Sequence, residues 1–134
     1  PHYVSFVDDI KGVDVAEDGK AIRWSEEFQP GGTNVNFVEK TEDGIKVATF
    51  ERGVEAETLS CGTGVTAAAL CLSLEQGKEG CYEVPIDTRG GKLEVKFSRE
   101  GTAFTDIWLC GPAKLIFEGT INIKTISRYD QPGE

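Results

Sequence analysis

Apolar and polar residues alternate most regularly from Gly91 to Phe97, where Leu93, Val95 and Phe97 interleave with Lys92, Glu94 and Lys96. A period of two puts the apolar set on one face, the signature of a strand with one wet side. Rougher runs of the same kind lie at Tyr3–Ile10, Ala21–Trp24, Asn34–Glu39, Ile45–Glu51, Tyr82–Asp87, Phe104–Leu109 and Lys114–Ile123. Asp18-Gly19, Asp43-Gly44, Gly90-Gly91 and Glu100-Gly101 read as turns between them. The pattern predicts a sheet dominated by hairpins, in an antiparallel arrangement.

One segment departs from it. Gly64 to Gln76 is rich in Ala and Leu, lacks charge until Glu75, and is followed by Gly77 and Lys78 as a stop signal. A helix apolar nearly all round belongs in an interior. The expected architecture is therefore α+β, a curved antiparallel sheet wrapped around one central buried helix.

The chain has 134 residues, of which 39% are hydrophobic and 28% charged, enough for a single core. Residues 1–123 are expected to form that unit, and 124–134, polar and ending in Pro-Gly-Glu, a tail. There is no Met, so the chain is expected to be processed or part of something longer. Neither a bilayer-length apolar run nor a leader pattern is present. The net charge of -9 would repel a polyphosphate backbone, which argues against nucleic acid as a partner. Cys61, Cys71, Cys81 and Cys110 are spaced too unevenly for a zinc or Cys-x-x-Cys redox motif, and a single histidine, His2, leaves a mixed metal site little to work with. No metal is expected, the thiols are read as reduced, and the compartment as cytoplasmic.

The chemistry concentrates in Glu51-Arg52-Gly53-Val54-Glu55-Ala56-Glu57-Thr58-Leu59-Ser60-Cys61-Gly62-Thr63-Gly64. The first N–H groups of a helix lack internal partners and carry partial positive charge, which stabilises a nearby anion. Cys61, placed just before the helix, is a candidate base or nucleophile, and Gly62 and Gly64 would let a carboxylate approach the bare amides. Cys71, Cys81 and Cys110 read as core residues. Two other chemistries share this string. A phosphate loop lacks the Lys-Ser or Lys-Thr of the Walker pattern, and a thiol hydrolase would need His2 as its base. A ligand-binding module without catalysis is the third alternative.

Glu51-Arg52-Gly53, a spacer, Glu57-Thr58 and Cys61-Gly62-Thr63-Gly64 leading into an alanine-rich helix resembles the second half of the diaminopimelate epimerase family. Pro1-His2-x-Val4, Asn34-Val35-Asn36-Phe37, Gly111-Pro112-Ala113 and Phe117-Glu118-Gly119 follow the same family order, so the resemblance covers about residues 1 to 123. The proline and hydroxyproline racemases share the Cys-Gly-Thr-Gly string but not usually Glu-Arg-Gly at this distance.

The resemblance implies a cofactor-independent epimerase that interconverts LL- and meso-diaminopimelate with two cysteines, in lysine and peptidoglycan-precursor synthesis. It makes Cys61 one acid/base thiol, and Gly62 and Thr63 the carboxylate-binding amides. By the same resemblance Glu51 assists proton handling and contacts substrate, Arg52 and Asn34 bind substrate, and His2 lies near the other thiol. The other catalytic cysteine belongs to a Cys-Gly-Asn-Gly setting in the family's first half, which Cys71, Cys81 and Cys110 lack. The implied partners are diaminopimelate and an N-terminal domain of the same enzyme, with a homodimer left open, and this piece alone is expected to be inactive. One residue more than in some family members separates Glu51 from Cys61; it is expected to be slack, with Val54–Glu57 bulging outward.

Overall fold

The computed structural model describes residues 1–121. Among them, β1 (His2–Val7), β2 (Asn34–Lys40), β3 (Ile45–Glu51), β4 (Ala56–Thr58), β5 (Gly80–Thr88), β6 (Gly91–Glu100) and β7 (Ala103–Cys110) form one sheet, accompanied by helices α1 (Val15–Arg23) and α2 (Gly62–Gln76). The order is β1-β2-β3-β5-β6-β7. The second edge of β3 is divided, with β4 pairing its end from Thr49 to Glu51 and β5 its start from Ile45 to Val47. The α+β class holds, and so do most strands and the turns at Asp43-Gly44, Gly90-Gly91 and Glu100-Gly101.

The sheet is mixed rather than antiparallel. β1 runs parallel to β2, and β3 parallel to β5. Each parallel pair is bridged by a helix, α1 in the first connection and α2 in the second, because parallel neighbours need a crossover. Turn dipeptides report hairpins between consecutive strands and carry no information about such crossovers.

α1 replaces the strand expected at Ala21–Trp24 and the turn expected at Asp18-Gly19. Asp14 caps it by accepting from the Glu17 N–H at 3.1 Å; Glu17 and Asp18 fill its first turn, and Lys20 and Arg23 its last, each favourable to the helix dipole. Gly19 permits close packing rather than a turn, since a Cβ there would lie 2.4 Å from Phe50 Cβ.

Alternation along the strands supplies two cores. Val35, Phe37 and Phe50 pack with Val15 of α1, while Val38, Val47, Val84, Ile86, Val95 and Phe97 pack with Val65, Ala68, Ala69 and Leu72 of α2. α2 ends at Gly77, in the left-handed region at φ 72°. Its sheet-facing side is buried as expected. Its other side is not, as Thr63 and Leu74 are exposed and Thr66, Ala67, Leu70 and Cys71 half-buried, so burial on every side is corrected for the described residues.

The strand expected at Lys114–Ile123 is absent from its described part, 114–121. Pro112, which has no N–H, interrupts the ladder after β7, and Leu115, Ile116 and Phe117 stand exposed. Residues 122 and 123 and the expected tail lie outside the described residues. All four cysteines are free, and the core reading fails for Cys81, which is exposed with its Sγ 3.6 Å from Ser98 Oγ. No helix among the described residues is long and apolar enough to cross a membrane.

Candidate active site

The α2-facing side of the sheet changes from apolar to polar toward one end. The register sets Val4 beside Asn36, Asn36 beside Thr49, and Thr49 beside Thr58 across β1, β2, β3 and β4. One row further out, His2 lies beside Asn34, and Glu51 beside Ala56. In the opposite direction the row is apolar, with Phe6, Val38 and Val47. The sheet thus buries hydrocarbon under most of α2 and offers amide, hydroxyl, imidazole and carboxylate groups near its N-terminus.

Cys61 is the N-cap of α2, with extended backbone and no side-chain cap bond. Helical bonding begins with the Val65 N–H donating to the Cys61 carbonyl at 2.9 Å, so the N–H groups of Gly62, Thr63 and Gly64 precede the ladder. Cys61 is buried, 8% exposed as a residue, and its Sγ lies 3.6 Å from Thr63 Oγ1. Gly64 must be glycine for packing: a Cβ there would lie 2.3 Å from Asn36 Oδ1 and 3.3 Å from Cys61 Sγ. The helix mouth therefore rests directly on Asn36.

Asn36 is fully buried and its amide is fully engaged. Its Nδ2 donates to the Tyr3 carbonyl at 2.9 Å and lies 3.4 Å from His2 Nδ1, while its Oδ1 accepts from Thr49 Oγ1 at 3.0 Å. Thr58 Oγ1 is buried with no hydrogen-bond partner among the described residues. Burial pushes the His2 pKa below its ordinary value, with Arg52 acting in the same direction and Glu51 opposing.

Asn34 acts as a brace as well as a candidate ligand. Its Oδ1 accepts from the Arg52 N–H at 2.8 Å and its Nδ2 donates to the Pro1 carbonyl at 3.3 Å. Arg52 Nη1 donates to the Gly31 carbonyl at 3.1 Å, while the side chain stays exposed and able to meet an anion.

The loop from Gly53 to Glu57 is anchored rather than slack. Glu55, at φ 59°, turns its carboxylate back to accept from Arg23 Nε at 3.1 Å, Trp24 Nε1 at 3.1 Å and the Gly53 N–H at 3.0 Å. Arg23 is itself buried, with its guanidinium 4.4 Å from the Trp24 ring centroid and its Nη1 against Gly32, where a Cβ would nearly coincide with it. These contacts hold the Glu55 carboxyl below its ordinary value, the Gly53 N–H contributing most.

The structure thus gathers His2, Asn34, Glu51, Arg52, Cys61, Gly62 and Thr63 at one end of α2. Sequence reasoning passed over Asn36, Thr49 and the Arg23–Glu55 pair. For Asn36 and Thr49 a signal existed, since each shares a strand face with Val38 or Val47 and so puts a polar group on a core position.

A family model described as diaminopimelate epimerase matches residues 1–116. This chain belongs to the diaminopimelate epimerase family. It is 46% identical over 122 residues to the diaminopimelate epimerase of Flavobacterium psychrophilum, covering 90% of this chain and 47% of that protein. To the one from Aquifex aeolicus it is 47% identical over 124 residues, covering 91% and 43%. The chain spans about half the length of these curated relatives. Among solved structures, a predicted epimerase from Pseudomonas aeruginosa matches at TM-score 0.56 and 16% identity, over 75% of this chain and 34% of that one. A hydroxyproline epimerase from Agrobacterium vitis matches at 0.50 and 16%, over 75% and 35%. At these identities the likeness is one of fold alone.

Proposed function

We propose that this chain is the C-terminal half of a cofactor-independent diaminopimelate epimerase, with Cys61 serving one face of the substrate α-carbon. The observation that carries the reading is the placement of the Cys61 thiol at an uncapped helix N-terminus, in a polar layer containing His2, Asn34, Glu51 and Arg52. Membership of the family supports this chemistry over hydrolysis or passive binding.

An α-proton between carboxylate and ammonium is weakly acidic, so its removal requires stabilisation of the negative charge that develops on the carboxylate side. The N–H groups of Gly62 and Thr63 supply fixed donors for that carboxylate, and the positive end of α2 adds to their field. In one direction Cys61 takes the proton as thiolate while a second thiol delivers one to the opposite face; in the other direction the roles reverse. Arg52 pairs with a substrate carboxylate, Asn34 fixes the backbone that carries Arg52, and Glu51 handles protons at a thiol. His2 lies beside the position of the second thiol.

That second thiol comes from an N-terminal domain, so the 134-residue chain alone does not invert the centre. The domain is assigned to residues 1–123, and the protein to the cytoplasm. In deuterium oxide, the chain by itself is expected to leave the α-proton of diaminopimelate unexchanged, whereas a two-domain protein carrying it exchanges and inverts. Inversion by the isolated chain would refute the division of the site.

A further inference from the structure

The Asn36 amide has only one orientation that satisfies its neighbours. The Tyr3 carbonyl can only accept, so the atom 2.9 Å from it must be the NH2 group. The opposite end is then the carbonyl oxygen, which takes the Thr49 hydroxyl proton at 3.0 Å. Rotating the amide by half a turn would set two oxygens against each other at Tyr3. With the amide fixed in this way, a donor faces His2 Nδ1 at 3.4 Å. A second donor at Nδ1 would oppose it, so Nδ1 must present its lone pair.

We propose that Asn36 is a positioning residue that fixes His2 with its ring proton on Nε2, so that the imidazole meets the site as a hydrogen-bond donor and not as a proton acceptor. The inference deepens the epimerase reading and rests on it only for its catalytic meaning. A histidine held in this form steadies an anion, whether a thiolate, the Glu51 carboxylate or a substrate carboxylate, and leaves proton acceptance to Glu51 and the thiols. The charged and titratable groups around the ring fit this assignment. Burial and Arg52 disfavour an imidazolium, Glu51 favours one, and the Cys61 side chain lies against the same side of Gly64 as the Asn36 amide oxygen. Asn36 itself is locked, fully buried between β1, β3 and the mouth of α2.

His2 is the chain's single histidine, so its ring can be read without assignment ambiguity. In the 134-residue chain labelled with 15N-histidine, the two-bond proton–nitrogen spectrum near neutral pH should show a pyrrole-type Nε2 and a pyridine-type Nδ1. Asn36→Asp replaces the donor with an acceptor and should move the pyrrole-type signal to Nδ1 and raise the pH at which the ring titrates. A pyrrole-type Nδ1 in the unaltered chain overturns the proposal, and so does a folded Asn36→Asp chain whose ring signals and titration are unchanged. Should that variant fail to fold, the spectrum of the unaltered chain still decides. Epimerase activity is not part of this readout, so an inactive two-domain protein with the Nε2–H form intact would count against the epimerase reading alone.

Discussion

Asn34 Oδ1 accepts the backbone N–H of Arg52 at 2.8 Å, joining the start of β2 to the residue that follows β3. This bond sets where the Arg52 side chain departs, so Asn34 influences substrate binding through Arg52 even where it makes no contact of its own. Asn34→Ala in a two-domain protein should lower kcat/KM by about three- to tenfold, in keeping with the ~1 kcal/mol of a typical hydrogen bond, mainly through KM. Steady-state kinetics with diaminopimelate check this. A change confined to kcat would place Asn34 in the chemical step instead.

Gly64 is a packing glycine. Gly64→Ala would drive a methyl group against Asn36 Oδ1 and the Cys61 side chain, and overpacking of this kind costs about 1–3 kcal/mol. Gly12, where a Cβ would meet only open space, should accept alanine within ~0.5 kcal/mol. Denaturant unfolding of the two variants measures the contrast, and equal midpoints would contradict the contact.

The carboxylate of Glu55 should release its loop on acidification. Its folded value lies below the ordinary 4.5, so the unfolded chain binds more protons between the two values and stability rises with pH across that interval. The anchoring is complete above 4.5 and is lost as pH falls through the lower folded value. The Trp24 indole N–H, which donates to Glu55 Oε2, reports it directly by NMR. A midpoint below 4.5 is expected, and one at or above 4.5 would show that the carboxylate is not held.

Arg23→Lys should loosen the same loop, because an ammonium cannot bond Glu55 and lie flat over the Trp24 ring as the guanidinium does. Faster hydrogen exchange at the Gly53 amide is the expected result. Unchanged exchange would mean that Trp24 and the backbone hold Glu55 unaided.

Much of the fold was legible in the sequence, for reasons particular to each element. β6 was clear because Leu93, Val95 and Phe97 alternate without interruption, and α2 because Gly77 ends an uncharged run of helix formers. α1 was misread because Asp18-Gly19 imitates a turn. The decisive cues, Asp14 three residues before Glu17 and basic residues in the last turn, are short and were outweighed by that dipeptide. The parallel pairings were hidden because strand adjacency across a crossover depends on tertiary packing. Cys61 and its glycines were visible as a motif. The role of Asn36 is hidden in the sequence, because it comes from four partners contributed by β1, β3 and α2, none adjacent to it in the chain.

The central claim is that Cys61 carries proton transfer at one face of the α-carbon. The most direct measurement is the rate at which a two-domain protein carrying this chain converts LL- to meso-diaminopimelate with Cys61→Ser, beside Cys110→Ser as a control at the end of β7. The account predicts that Cys61→Ser lowers inversion by about 10²–10⁴-fold, the range of a lost acid/base group, while Cys110→Ser retains most of it. Inversion at an unaltered rate in the folded Cys61→Ser protein, or an equal loss in both variants, would contradict it.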